Sequence, residues 1–119
     1  MPKASILVVD DDRTFGEALC KVLDREGYGA TLATNFRTAL QVLEADQPVD
    51  LMLVDIVMPD SVNGLALSRM ARLRRRNLKV VYLTGYDIPG IAREALGPIL
   101  RKPVDDQVLI EEIGRALAN

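Results

Sequence analysis

The sequence predicts a doubly wound α/β fold, and three observations point to it. Short apolar runs rich in Val, Ile and Leu recur along the chain: Ile6–Val9, Leu51–Val54, Val80–Leu83 and Ile99–Leu100. Runs this short and this apolar suit strands buried on both faces of a parallel sheet. Segments with helical periodicity separate them, as crossovers between parallel strands require. Each run also ends in polar residues of a different kind: Asp10–Asp12, then Asp55, then Thr84, then Arg101 and Lys102.

The elements follow in order. Residues 4–9 are read as the first strand. A helix is expected from Arg13 to Glu26, with Phe15, Ala18, Leu19, Val22 and Leu23 on one face. Asp11 or Asp12 caps its start, because a short acidic side chain accepts from the free N–H groups there. Gly27 and Gly29 mark its end, and Gly29–Ala33 is a short second strand. Asn35 caps a helix that runs to Ala45 through Ala39, Leu40 and Leu43, and Pro48 breaks it.

Residues 50–54 make the third strand, which Asp55 ends, and Ile56 to Asn63 is a loop. A helix from Gly64 to Arg75 packs through Leu65, Leu67, Met70 and Leu73. Residues 78–83 form the fourth strand. After the loop from Thr84 to Pro89, a short helix ends near Leu96. Residues 98–101 form the fifth strand, and a last helix from Asp105 to Ala118 buries Leu109, Ile110, Ile113 and Leu117. The expectation is five strands alternating with five helices, on both faces of the sheet.

Composition narrows the function. A chain of 119 residues, 49% hydrophobic, makes one domain with a real core. The net charge of −2 gives no reason to expect nucleic acid or an anionic membrane as a partner. Every apolar run is far shorter than the roughly 20 residues that a bilayer requires. Met1–Ser5 leads directly into a strand without a signal-peptide pattern. The single cysteine, Cys20, excludes an internal disulfide and fits a reducing cytoplasm. With no histidine in the chain, hydrolytic triads and histidine metal sites are excluded. No glycine-rich phosphate loop or dinucleotide fingerprint is present. The basic run Arg72, Arg74, Arg75, Arg76 and Lys79 reads as a solvated helix end that suits the helix dipole.

In an open parallel sheet the ligand site lies at the carboxyl ends of the strands. An acid pair, a lone Asp, a hydroxyl and a lysine are therefore expected at one edge. That set suits a hard divalent cation and a phosphoryl group carried on a carboxylate.

With these residues in view, the chain from Ile6 to Leu117 resembles the receiver domain of two-component response regulators. The matching motifs are Val8-Val9-Asp10-Asp11, Asp55-Ile56-Val57-Met58-Pro59, Asn63-Gly64, Leu83-Thr84-Gly85 and Lys102-Pro103. Each is weak alone; in this order, each at the end of an apolar run, they are specific. The separation of 44 residues between Asp11 and Asp55 also suits the family.

The resemblance implies a flavodoxin-like sheet with strand order 2-1-3-4-5. It implies that Asp55 is the phosphoacceptor and that Asp10 and Asp11 hold magnesium or manganese with Asp55 and the main-chain carbonyl of Val57. Thr84 matches the switch hydroxyl and Lys102 the lysine that pairs with a phosphoryl oxygen. The bond from Lys102 to Pro103 matches one that is usually cis. The implied partners are a sensor histidine kinase or histidine phosphotransfer protein and an unknown downstream protein. The implied setting is cytoplasmic, in a switch rather than a conventional enzyme. The chain would then be a single-domain regulator, or a receiver from a larger regulator or hybrid kinase.

Three departures from the family stand out. The loop from Ile56 to Asn63 is one residue longer than usual, with Asn63 where Asp is frequent. Thr84 to Lys102 spans 18 residues, about four fewer than typical, so the helix between them must be short or distorted and the usual dimer through that face absent or altered. Ile99 stands where many receivers carry a switching aromatic, which leaves signal output to loop movement or to Tyr86. Val57 and Tyr86, two residues after Asp55 and Thr84, should hinder water and slow self-dephosphorylation. Two other readings stand beside this one. A pseudo-receiver would leave the acids unused. A magnesium-dependent phosphohydrolase would want a second acid where Val57 stands, and a cap over its substrate.

Overall fold

The computed structural model describes residues 2–58, 63–87 and 90–119, with Ala92 described by its backbone alone. Five strands form one sheet: β1 Ser5–Val9, β2 Gly29–Ala33, β3 Leu51–Asp55, β4 Lys79–Thr84 and β5 Ile99–Arg101. All pairings are parallel and the order is β2-β1-β3-β4-β5. Among the described residues the helices are α1 Arg13–Arg25, α2 Phe36–Glu44, α3 Gly64–Arg74 and α4 Asp106–Ala118. None of them is long and apolar enough to cross a membrane.

Pleating explains how a continuous apolar strand feeds two cores. Leu7, Val9, Met52, Val54, Val80 and Tyr82 face one side, where Ala39 and Leu43 of α2 and Leu65, Leu67 and Ala71 of α3 close over them. The alternate residues Ile6, Val8, Leu51, Leu53, Val81 and Leu83 face the other side, against Leu19 and Leu23 of α1 and Leu109 and Ile113 of α4. Three helices start on expected or adjacent caps: Asp12 accepts from the N–H of Phe15, Asn35 from Thr38, and Asp105 from Gln107 and Val108. Asn63 caps α3 through the N–H of Ala66. Element ends agree with the expected ones to within about two residues.

Two helix faces differ from expectation. In α1, Ala18 is exposed, and Gly16 takes a buried place because its missing side chain lets Leu32 of β2 close in. In α3, Leu73 is 83% exposed and Ala71 is buried instead. A small residue here brings α3 close to the sheet and turns the larger one outward.

The main correction concerns the connection from β4 to β5. The sequence predicts five helices, but among the described residues of this connection the helical element is a 3₁₀ turn, Ile91–Arg93. The physical reason is length. Once β5 and its approach are formed, too few residues remain for an α-helix of ordinary length. Glycine shapes both sides of the turn. Gly90 adopts φ 78°, and Gly97 lies so close to β4 that a Cβ there would sit 1.8 Å from the carbonyl oxygen of Val80. Ile91 and Ala95 pack on the α2/α3-side core where a helix would otherwise lie. The expected loop residues Pro59, Asp60, Ser61, Val62 and Pro89 lie outside the described residues.

Tyr82 compensates for the short connection. Its side chain is fully buried in β4, and its hydroxyl accepts from the N–H of Leu96 at 3.0 Å. It lies 2.6 Å from Ser68 Oγ, which in turn donates to the Leu65 carbonyl at 2.7 Å. With Tyr82 donating to Ser68, one directed chain runs from the connection through β4 into α3 and leaves no buried hydroxyl unpaired. The basic run also does more than face water. Arg75 donates to the carbonyls of Leu43, Ala45 and Gln47, and so serves the open C-terminal end of α2, while Arg74 pairs with Glu44.

Tyr82→Phe keeps the ring but removes the acceptor of the Leu96 N–H and the partner of the buried Ser68 hydroxyl. It should lower the unfolding free energy by about 1–3 kcal/mol, measured by urea denaturation. An unchanged midpoint would contradict this role for the hydroxyl.

Candidate functional site

The site grows from the carboxyl ends of β1, β3, β4 and the residue after β5. Asp10 follows Val9 directly, and its N–H donates to Ala33, so the last rung of β1 with β2 fixes its backbone. Asp55 is the last residue of β3, paired in register with Leu83 of β4. Thr84 is thus one step beyond Asp55 along the neighbouring strand. Lys102 donates its N–H to the Thr84 carbonyl at 2.8 Å, which brings it to the same edge. The peptide bond between Lys102 and Pro103 is cis. Strand pairing at this edge therefore gathers two acids, a hydroxyl and a lysine from distant parts of the sequence.

The acids are packed deep. Asp10 is 1% exposed and Asp55 6%, whereas Asp11 is open to solvent. Lys102 Nζ donates to Asp10 Oδ2 at 3.0 Å and to Asp55 Oδ2 at 3.3 Å. The other oxygen of Asp10 accepts from the N–H of Asp12, and that of Asp55 from the N–H of Val57. Asp11, Asp55, Val57, Gly85, Tyr86 and Lys102 line an open cleft above them.

Burial first, then the charge of Asp10, pushes the Asp55 carboxyl above the ordinary carboxylate range. Lys102 and the Val57 N–H pull the other way without cancelling this. Burial opposes the Lys102 charge, but the hydrogen bond and charge of Asp10, joined by Asp55, raise its ammonium above the usual lysine range. The two directions are compatible. Lysine gains two partners, while each acid has only a share of one.

The donor set fits a hard cation. One carboxylate oxygen from each of Asp10, Asp11 and Asp55 lies within 4.8 Å of the others, and all three are oxygen ligands of the type magnesium prefers. Thr84 is 4% exposed, and its Oγ1 is engaged locally. It accepts from the N–H of Tyr86 at 3.1 Å and donates to the Tyr86 carbonyl at 3.3 Å. Its hydroxyl is thereby held in a turn of its own loop. Asp87 in that loop pairs with Arg101 at the end of β5.

The acids Asp10, Asp11 and Asp55, with Val57, Thr84, Lys102 and Pro103, all lie at this edge. Three residues contribute here through contacts that the sequence did not indicate. Gly64 packs its backbone against the Asp55 carbonyl, where a Cβ would sit 2.4 Å away. Asp12 links the α1 cap to Asp10. Phe15, expected only as a core residue, places its ring 4.4 Å from Lys102 Nζ. Helical spacing signals the burial of Phe15 but not this contact. Cys20 is half-buried, and burial, followed by Asp24 and Glu17, pushes its thiol up, which suits a packing residue.

A family profile described as the response regulator receiver domain matches residues 6–114. The chain is 32% identical over 116 residues to the response regulator receiver protein CpdR of Brucella abortus, covering 94% of this chain and 95% of that protein. It is 35% identical to the DNA-binding transcriptional regulator NtrC of a Bradyrhizobium strain, covering 99% of this chain but 25% of that protein. Two solved structures are similar throughout. A CheY-like receiver domain protein from Methanospirillum hungatei superposes with a TM-score of 0.88 at 28% identity, covering 97% and 94% of the two chains. The receiver domain of the hybrid histidine kinase CckA gives 0.82 at 27%, covering 96% and 99%.

The raised Asp55 value has a consequence for stability. The folded state holds a proton on Asp55 at pH values where the unfolded chain has lost it, so ionisation disfavours folding above the ordinary carboxylate range. In protein kept free of divalent metal by a chelator, Asp55→Asn should raise the urea midpoint at pH 7. The gain should shrink as pH falls through the raised value toward the ordinary one. A loss at pH 7, or a gain independent of pH, would refute it.

Proposed function

This chain belongs to the response regulator receiver domain family of two-component systems, and from that premise we propose that Asp55 accepts a phosphoryl group from a sensor histidine kinase or a histidine phosphotransfer protein, switching a surface for a downstream partner. The observation that carries this reading is the Lys102 ammonium shared by Asp10 and Asp55, beside three carboxylates clustered within 4.8 Å.

A carboxylate oxygen of Asp55 is the nucleophile. As its bond to phosphorus forms, the bond from phosphorus to the donor's histidine nitrogen breaks, and the electron pair leaves with the imidazole. Donor and acceptor are both negative, so the step requires positive charge and alignment more than covalent assistance. Asp10, Asp11, Asp55 and the Val57 carbonyl would hold magnesium or manganese, which supplies charge neutralisation for the phosphoryl oxygens when bound. Lys102 offers a second positive charge from the other side and needs no large movement to do so. Its ammonium already lies 3.3 Å from Asp55.

The switch follows from the product. A phosphoryl group adds roughly −1.5 to −2 charge and three acceptor oxygens to Asp55. The Thr84 hydroxyl is a donor one step beyond Asp55 on the neighbouring strand, and bonding to a phosphoryl oxygen would require it to leave Tyr86. That exchange moves the loop 84–87, which carries the exposed Tyr86 and the Asp87–Arg101 pair. Output through this loop suits a domain whose β4–β5 connection holds a 3₁₀ turn. Cytoplasmic action and the receipt of signals from a kinase belong to the same reading.

Incubation with Mg²⁺ and acetyl phosphate should add the mass of one phosphoryl group to the intact protein, and Asp55→Asn should abolish it. A native protein that binds magnesium yet forms no adduct with either this donor or a phosphorylated phosphotransfer protein would exclude the reading.

Val57 and Tyr86 flank the cleft with apolar surface, so water should reach the phosphoryl group slowly. Replacing both with small polar residues, as in Val57→Asn with Tyr86→Ser, should speed loss of the adduct about tenfold, on the order of one hydrogen bond's worth of water positioning. Equal decay rates by mass spectrometry would remove that role.

A further inference from the structure

We propose that Phe15 is a positioning residue for Lys102, holding the ammonium over the acid pocket through the face of its ring. The contact closes a circuit. Lys102 Nζ donates to Asp10 Oδ2, Asp10 Oδ1 accepts from the N–H of Asp12, Asp12 Oδ1 accepts from the N–H of Phe15, and the Phe15 ring lies 4.4 Å from Lys102 Nζ. Each member fixes the next. The α1 cap sets the backbone of Phe15, and packing on the α1/α4-side core sets its ring.

Lysine has a flexible four-carbon stem and a point charge without directional preference. Two carboxylates on one side do not determine where such a charge rests, because water on the other side competes for it. An aromatic face replaces that water with a weak attraction of its own, stronger where the cation is partly desolvated. The Lys102 side chain is 23% exposed, so the ring acts on a cation already withdrawn from solvent. Three contacts on different sides leave the ammonium one resting place.

The role rests on the receiver reading, and it makes two effects oppose each other. An ammonium held against Asp10 and Asp55 competes with a divalent cation for the same carboxylates. The same ammonium aids phosphoryl transfer to Asp55. Loosening it should therefore favour metal and disfavour transfer, whereas general damage to the fold would weaken both.

The test uses the full chain, with Phe15→Leu to remove the ring face while keeping apolar bulk, and Phe15→Tyr to restore it. In the native protein the ε-methylene protons of Lys102 should be shifted upfield by the ring, measured by NMR without metal or phosphodonor. In Phe15→Leu that shift should vanish, the dissociation constant for Mg²⁺ alone should fall about two- to fivefold, and phosphorylation by acetyl phosphate should slow about three- to tenfold. Phe15→Tyr should return all three toward native values, and in a Lys102→Ala background Phe15→Leu should change neither binding nor rate. Absence of the upfield shift in the native protein would overturn the proposal. So would parallel weakening of metal binding and rate, or an equal effect of Phe15→Leu with and without Lys102. Should the native protein accept no phosphoryl group, the receiver reading fails on its own, and the NMR and magnesium measurements still decide the position of Lys102.

Discussion

Lys102 is shared between Asp10 and Asp55, and two carboxylates buried against one ammonium keep a negative charge out of water. Desolvating charge in this way is costly unless every atom is partnered. Here Asp12 and Val57 lend their N–H groups to the remaining oxygens. The site is thus held together but electrically incomplete. Such a state has a built-in affinity for additional positive charge, and the paired strands beneath it fix where its carboxylates stand. The pairing of the sheet and the imbalance at its edge are two halves of one arrangement.

That sheet is strict about geometry. Strands buried on both faces leave little room for polar side chains inside, so the polar residue that follows each apolar run falls where the strand emerges. In β1, β3 and β4 these residues are Asp10, Asp55 and Thr84, and parallel register brings their emergence points side by side. The chemistry of the site is in this sense a boundary condition of the core. Lys102 joins through a backbone bond to Thr84 rather than through its own strand's interior.

Much of this was legible in the sequence. The apolar runs located four of the five strands, the glycines after the first helix located the other, the small polar caps located helix starts, and the polar residues ending each run pointed to the site. Periodicity was less informative where small residues decided the packing. Gly16 and Ala71 occupy buried places that a search for large apolar side chains passes over. The connection after β4 reads as a short helix, and among its described residues a 3₁₀ turn forms instead. A helix competes there with the close approach of Gly97 to β4 and with the Tyr82 hydroxyl that ties down Leu96. Those are long-range contacts, invisible to any local pattern. The same holds for Phe15, whose spacing marks it as buried but does not say that a lysine 87 positions later lies over its ring.

The two ends of α3 give the fold a mechanical character. At its start, Gly64 lies against the Asp55 carbonyl with no side chain to cushion the contact. Just past its other end, Arg75 grips three carbonyls at the close of α2. Between them stands a helix of 11 residues, a stiff rod about 16 Å long. A rod seated at both ends does not absorb a push; it passes it on. Were the backbone at Asp55 displaced, such a rod would carry the displacement toward the corner where α2 ends, away from the cleft.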